Sequence, residues 1–162
     1  MSLPSTLETI ESSAFELYAE ENLSTITTKI DFSKCTNLKT IGASAFNGCG
    51  GIDELVLPSS VEYIGSKAFS NTKAYDKFFE SVETAKENVF KIVNNILVWT
   101  YVPNGSTGIS VPDGVRMIAG GACAGWDNAV VPTTPEGLRL SWRSKYNISN
   151  AVTKIEIPES VE

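Results

Sequence analysis

Apolar residues recur along this chain at fixed distances from a set of isoleucines. A leucine or valine stands three residues before each isoleucine, and an alanine stands four residues after it. An aromatic residue follows that alanine in three of the four segments, and Cys123 takes its place in the fourth. Self-similarity of this kind is the sequence signature of a repeat architecture. The isoleucines that anchor the pattern are Ile10, Ile41, Ile64 and Ile118.

A proline stands six residues before three of these isoleucines, and the residues in front of it alternate between apolar and polar. A period of two predicts a short strand with its apolar side chains inward, and proline suits the end of a strand because it has no N–H to donate. One repeat is 23 residues, from Ile41 to Ile64, and is too small to bury its own apolar face, so neighbouring repeats must stack. The predicted inward pairs are Ile30 with Phe32, Leu55 with Leu57, Ile109 with Val111, and Ile155 with Ile157.

The copies do not follow one another at a constant distance. The interval from Ile10 to Ile41 exceeds the period by eight residues, and that from Ile64 to Ile118 exceeds it by 31. We expect these extra residues to leave the stack as insertions. Copies are predicted near residues 3–15, 28–49, 53–70, 108–126 and 153–162, with a degraded copy at Val131-Pro132 and Leu138.

The longest interruption, residues 71–107, has apolar spacing of its own. The spacing of its first part predicts a helix within residues 72–85. Two runs rich in β-branched and aromatic residues, 89–93 and 96–101, flank Asn94-Asn95 and predict a hairpin with a two-residue turn. The apolar residues on the predicted helix face are Tyr75, Phe78, Phe79 and Val82.

The pattern Leu-Pro-x-Ser-Val-x-x-Ile-Gly-x-x-Ala-Phe, complete at residues 57–69, resembles the BspA-like, or Treponema-type, leucine-rich repeats. The resemblance covers residues 3–69 and 109–123 and the fragment 153–162. It implies an α/β repeat solenoid, a single domain over residues 1–162, with one short strand per repeat and a parallel sheet on one face. It also implies that the predicted helix and hairpin interrupt the solenoid and belong to it.

The acidic composition of the chain limits its partners. The chain has 162 residues, a formal net charge of −6 and no run of lysine and arginine. Because nucleic acids and anionic lipids are bound through clustered basic residues, we expect no nucleic-acid partner. No apolar run reaches the roughly 18–20 residues of a membrane-spanning helix, so no membrane span is expected in this segment.

Residues that commonly carry catalysis or bind metals are scarce. The chain has no histidine, the side chain most often used as a general base or metal ligand, and Ser12 and Ser13 therefore have no evident base. An odd number of cysteines without paired short spacings favours buried apolar positions over disulfides. We therefore predict no enzyme activity, no catalytic residue, no metal site and no cofactor. The cysteines are Cys35, Cys49 and Cys123.

Some polar and aromatic groups have both a functional and a structural interpretation. Asp53-Glu54 would suit a cation or a solvated strand edge, and the acids between Glu8 and Glu21 lack the loop pattern of a calcium site. Arg139 and Arg143 would grip a carboxylate or line a solvated strand. The aromatic residues that would form a sugar or peptide platform, or pack in the core, are Trp99, Tyr101, Trp126, Trp142 and Tyr146.

The outward residues of the predicted strands are the candidate binding surface, because solenoids bind partners along such surfaces. The resemblance implies a non-catalytic protein-binding module of a larger cell-surface or extracellular protein, with an adhesion role and a partner such as a matrix or host surface protein. The alternatives are a structural spacer and an intracellular scaffold without its own ligand. The oligomeric state stays open. The candidate residues are Lys29, Asp31, Glu54, Val56, Ser110, Lys154 and Glu156.

Overall fold

The structure is a computed structural model that describes residues 3–17, 30–103, 106–123 and 154–162. The chain divides into two compact units, Met1–Glu80 and Ser81–Glu162, and each is described by itself. The single domain over residues 1–162 stays a prediction.

The first unit is built on a parallel sheet of three two-residue strands. These are β1 (Thr9–Ile10), β2 (Thr40–Ile41) and β3 (Tyr63–Ile64), paired in chain order. Their register sets the isoleucine of each repeat beside that of the next. Helix α1 (Lys73–Val82) follows and lies within the range that the sequence predicted for a helix.

The position of this sheet corrects one prediction. The alternating residues before the proline position do not form the sheet of the first unit, which lies later in each repeat, at the isoleucine. In the second repeat a local turn explains this, because the Ser33 N–H donates to Asp31 Oδ1 at 2.8 Å and the Cys35 N–H donates to Phe32 O at 2.9 Å. These bonds use backbone donors that a ladder would need.

A glycine after the isoleucine lets neighbouring repeats approach closely. The Gly42 N–H donates to Ile10 O at 2.7 Å, and the Gly65 N–H donates to Ile41 O at 2.8 Å. A Cβ atom on Gly65 would lie 2.4 Å from the backbone nitrogen of Ala43, and one on Gly42 would lie as close to the preceding repeat. Within the first unit, the close approach therefore requires glycine at positions 42 and 65.

Each repeat then turns through a residue in the left-handed conformation. Ser13, Ser44 and Lys67 stand three residues after their isoleucines and have φ of 58°, 55° and 57°. Gly121 holds the same place in the second unit, with φ of 77°. Because the left-handed region costs a non-glycine residue about 1–2 kcal/mol, the recurrence shows that the fold of the repeat imposes this conformation.

The core of the first unit contains a stack of phenylalanine rings. The rings of Phe15 and Phe46 lie 5.2 Å apart with 7° between their planes, and those of Phe46 and Phe69 lie 5.4 Å apart at 8°. The ring of Phe32 contacts the last two edge-on. Phe46 and Phe69 are fully buried, as the apolar pattern predicted.

The second unit contains two small sheets. Strands β4 (Val89–Val93) and β5 (Ile96–Tyr101) form an antiparallel hairpin, and β7 (Met117–Ile118) pairs in parallel with β5. Strands β6 (Gly108–Ser110) and β8 (Lys154–Glu156) form a parallel pair. Asn94 and Asn95 have φ of 51° and 63°, which is the geometry of a two-residue hairpin turn. The predicted hairpin and its turn are thus observed.

The second strand of this hairpin occupies the place of a repeat. The Ala119 N–H donates to Leu97 O at 2.9 Å and the Arg116 N–H donates to Asn95 O at 2.8 Å. The first unit uses the same two bonds between repeats, for example from Gly65 to Ile41. Leu97 therefore stands where the isoleucine of a preceding repeat would stand.

The copy at residues 154–162 stacks directly on the copy that contains β6. Ser160 Oγ donates to Val115 O at 2.7 Å, just as Ser60 Oγ donates to Leu38 O at 2.8 Å in the first unit. Strands β6 and β8 pair directly, although 43 residues separate them along the chain. The degraded copy predicted at 131–138 lies outside the described residues.

One turn closes the first half of every described copy. The residue three after the proline position donates its N–H back to that position, and Cys35 takes the place of proline in the second copy. The geometry of the turn thus survives the loss of proline. The five bonds run from Leu7 to Pro4, Leu38 to Cys35, Val61 to Pro58, Val115 to Pro112 and Val161 to Pro158.

Candidate functional site

The structure places six of the seven candidate residues, and all six are exposed. Lys29 lies outside the described residues. We call the three in the first unit the first row, namely Asp31, Glu54 and Val56. We call the three in the second unit the second row, namely Ser110, Lys154 and Glu156.

The first row combines carboxylates with an apolar side chain. Asp31 and Glu54 stand ten residues before Ile41 and Ile64, so they hold the same position in successive repeats. Val56 is 64% exposed, which is a large apolar exposure for a side chain that ordinarily packs inside. The exposed surface of this row is therefore both acidic and apolar.

Local hydrogen bonds keep the carboxylate of Asp31 ionised. The hydroxyl and the backbone N–H of Ser33 both donate to it and lower its pKa, because hydrogen bonds to the charged form favour that form. Asp53 precedes Glu54 in the sequence, but it contacts lysine side chains of α1. Its carboxylate lies 3.8 Å from Lys73 Nζ, and its backbone carbonyl accepts from Lys77 Nζ at 3.5 Å. These contacts join α1 to the segment before Pro58 and favour a structural role for Asp53.

The residues of the second row contact one another through one side-chain bond across the β6–β8 pair and one ion pair within β8. Ser110 and Glu156 are register partners, and Ser110 Oγ donates to Glu156 Oε2 at 2.5 Å. Lys154 Nζ lies 2.6 Å from Glu156 Oε1. The hydrogen bonds from Lys154 and Ser110 lower the pKa of Glu156. An exposed pair of this kind stabilises the fold by about 0–1 kcal/mol, so its main effect is to orient the polar groups at the surface.

The cysteines occupy buried positions and are free thiols. Burial raises the pKa of Cys49 and of Cys123 to about 11, so neither supplies a thiolate near neutral pH. Cys49 Sγ donates to Phe15 O at 3.1 Å. The described part of the chain contains no group of three or more His, Cys, Asp or Glu side chains placed to hold a metal.

The remaining candidates also take structural places where the structure describes them. Ser12 Oγ accepts the Ala43 N–H at 3.2 Å, which joins two repeats. Trp99 and Tyr101 are buried, and Tyr101 Oη donates to Glu83 O at 3.0 Å. Within the described ranges, no helix has the length and apolar character that a membrane crossing requires. The candidates beyond those ranges are Trp126, Trp142, Tyr146, Arg139 and Arg143.

A second set of outward residues, on the strands β1 to β3, was missed from the sequence. Thr9, Thr40 and Tyr63 are paired in register, and Tyr63 is 49% exposed. The alternating pattern places the strands before the proline position, whereas these residues stand directly before each isoleucine. The fixed spacing from the isoleucine was the signal that would have found this set.

The comparisons with known proteins agree with the repeat contacts. A family model described as the BspA type leucine rich repeat region, with six copies, matches residues 1–97. The match ends at Leu97, the residue of β5 that stands in the place of a repeat isoleucine. No curated protein and no solved structure matches the chain.

Proposed function

Because the chain belongs to the BspA-type leucine-rich repeat family, we propose that it is a protein-binding module of a larger cell-surface protein. Repeats of this family are generally non-catalytic, and they often occur in surface proteins. Leucine-rich repeats generally mediate contacts with other proteins. Adhesion to a matrix or host surface protein is the role that this membership supports best.

We further propose that the repeats form a solenoid over residues 1–162, interrupted by α1 and the β4–β5 hairpin. The support is the recurrence of one set of contacts in both units. The bond from Ser60 Oγ to Leu38 O has its counterpart from Ser160 Oγ to Val115 O. Equivalent contacts between successive copies are what a one-dimensional stack requires.

The observation that carries the binding proposal is the exposure of both rows on the extended part of the repeat. Val56 is 64% exposed in the same row as Asp31 and Glu54, and the second row presents Lys154 and Glu156 as an exposed ion pair. Residues at the centre of a protein interface are commonly apolar and surrounded by polar groups. The first row has this composition before any partner is bound.

The proposal is tested by passing the whole chain over immobilised matrix glycoproteins and measuring how much is retained. We expect retention that falls at least tenfold in Glu54→Lys with Val56→Asp, and that also falls in Glu156→Lys. Glu80→Lys is the control, because Glu80 is exposed on α1 and outside the rows. Equal retention of all variants would exclude the rows as the binding surface. No retention of the unaltered chain on any matrix glycoprotein would favour a spacer or an intracellular scaffold.

The surface location has its own test in the cells that make the protein. An antibody against this chain should label intact cells, and external protease should remove the label. Labelling that appears only after the cells are permeabilised would contradict a surface location and favour the scaffold.

A further inference from the structure

Among the strands that the structure describes, β4 lies at the edge of its sheet in the second unit. In the sheet β4-β5-β7, strand β5 pairs on both sides, whereas β4 pairs with β5 alone among the strands that the structure describes. The free side of an edge strand presents unpaired N–H and C=O groups. This edge begins after Asn88, whose side-chain amide donates to Gly108 O at 2.9 Å.

The length of β4 distinguishes it from the other edges. The edge strands β1, β3 and β7 have two residues each, and β6 and β8 have three. Strand β4 has five. Short edges protect a protein against unwanted pairing because they offer few hydrogen bonds. Among the described edges, β4 is therefore the one best able to pair with a further extended segment.

The side chains of β4 leave apolar surface for such a segment. Ile92 is 39% exposed, and Val89, Phe90 and Val93 are only half-buried. In the neighbouring strand β5, all six residues are buried. The edge strand β4 is thus largely apolar, and it pairs with a strand that is buried along its whole length.

The charge on β4 selects between possible partners. Lys91 stands at the centre of the strand and is its one charged residue. A second β4 added antiparallel about Lys91 would set two ammonium groups opposite each other, which is unfavourable, whereas a carboxylate in that place makes a favourable cross-strand pair. The net charge of −6 also makes two copies repel.

We propose that the free edge of β4 binds an extended segment of a different protein, which adds a strand to the sheet. The segment has an acidic residue opposite Lys91 and apolar residues on either side of it. Strand addition draws its affinity from main-chain hydrogen bonds and its specificity from alternate side chains. The site does not use the first or second row and does not depend on the proposed function of those rows.

Two short synthetic peptides test this site on the ¹⁵N-labelled whole chain by NMR. In both, threonine and valine alternate, and the central residue is glutamate in one and lysine in the other. We expect shifts concentrated in the amides of Val89–Val93 and binding of the glutamate peptide about two- to ten-fold tighter. Lys91→Glu should reverse the preference. Lys86→Glu, which makes the same charge change at an exposed residue outside β4, should keep it.

Several results would overturn the proposal. Equal binding of both peptides would contradict the selection for an acidic residue opposite Lys91. Chemical shift changes outside β4 would contradict the location of the site. Slow hydrogen exchange at every β4 amide in the free protein would mean that the edge is already covered. A dimer in sedimentation that Ile92→Lys dissociates would identify a second copy as the occupant.

Discussion

Gly65→Ala should weaken the first unit because it separates two repeats. The added Cβ would lie 2.4 Å from the Ala43 nitrogen, 2.6 Å from the Gly42 carbonyl carbon and 2.8 Å from the Ala43 Cα. All three are backbone atoms, so no flexible side chain can move aside, and β3 must shift away from β2. Overpacking of this kind costs about 1–3 kcal/mol, and weakening the bond from Gly65 to Ile41 adds about 1 kcal/mol. We therefore expect a loss of about 2–4 kcal/mol.

The assay must report on the first unit. All three tryptophans, Trp99, Trp126 and Trp142, belong to the second unit, so their fluorescence would miss the change. Urea unfolding followed by far-ultraviolet circular dichroism, together with hydrogen exchange at the Ile41 and Gly65 amides, would detect it.

Two matched variants show whether the effect comes from close approach. Glu11 holds the same position in the first described copy and is exposed, so Glu11→Ala should change stability by less than about 0.5 kcal/mol. Ala119 holds it in the second unit, and Ala119→Gly should cost about 0.5–1 kcal/mol through added chain entropy. A loss below about 0.5 kcal/mol for Gly65→Ala would refute the close approach of the repeats.

Three further changes test other parts of the fold. Phe46→Ala should cost about 3–5 kcal/mol in urea unfolding and Phe15→Ala clearly less, because Phe15 is only half-buried; equal losses would contradict the ring stack. Because φ is 57° at Lys67, Lys67→Gly should leave thermal stability equal or higher, and Lys67→Val should lower it by about 1–2 kcal/mol, since a β-branched side chain fits the left-handed region worse than lysine does. Because burial raises the thiol pKa of Cys49 and of Cys123 to about 11, the contribution of these protonated thiols to stability is complete below their ordinary pKa of 9.0 and falls as the pH rises from 9 to 11. Cys49→Ala should flatten that fall in pH-dependent unfolding, and an unchanged slope would contradict the burial of Cys49.

The spacing of apolar residues predicted the contacts that depend on one repeat alone. The turn at the proline position is an example, since Leu38 bonds to Cys35 as Val61 bonds to Pro58. The burial of Phe46 and the hairpin turn at Asn94 are others. These features follow from local backbone geometry and side-chain character, which the sequence states directly.

Alternation placed β6 and β8 correctly, because Ile109 and Ile155 lie on these parallel strands, but it did not place the parallel sheet of the first unit. Ile30 and Phe32 alternate as strand residues do, yet a local bond from Ser33 to Asp31 turns the chain there. The sheet forms instead where Gly42 allows two backbones to approach. That approach is a contact between residues about one repeat apart, and hydrophobic alternation carries no information on it.

The use of β5 as a repeat layer was also missed, although a signal was present. Leu97 stands 21 residues before Ile118, close to the period of 23. The residues around it lack the alanine and phenylalanine of the pattern, so the composition of β5 indicated a hairpin and nothing more. The bonds from Ala119 to Leu97 and from Arg116 to Asn95 show that the hairpin takes part in the ladder.

The candidate binding surface was also predictable from the sequence only in part. Alternation predicted that Glu54 and Val56 point outward, and both are exposed. Lys154 and Glu156 lie on the same strand, whereas the contact from Ser110 to Glu156 joins two strands through residues 46 positions apart along the chain. Such pairing depends on which repeats stack directly, which the period did not determine.

The most direct test of the account is whether one backbone contact joins the repeats in both units. NMR scalar couplings across hydrogen bonds identify the carbonyl that each amide contacts. The account predicts couplings from Gly42 to Ile10, from Gly65 to Ile41 and from Ala119 to Leu97. Coupling of Ala119 to any other carbonyl, or no coupling at Gly65, would contradict the stack of repeats described for this protein.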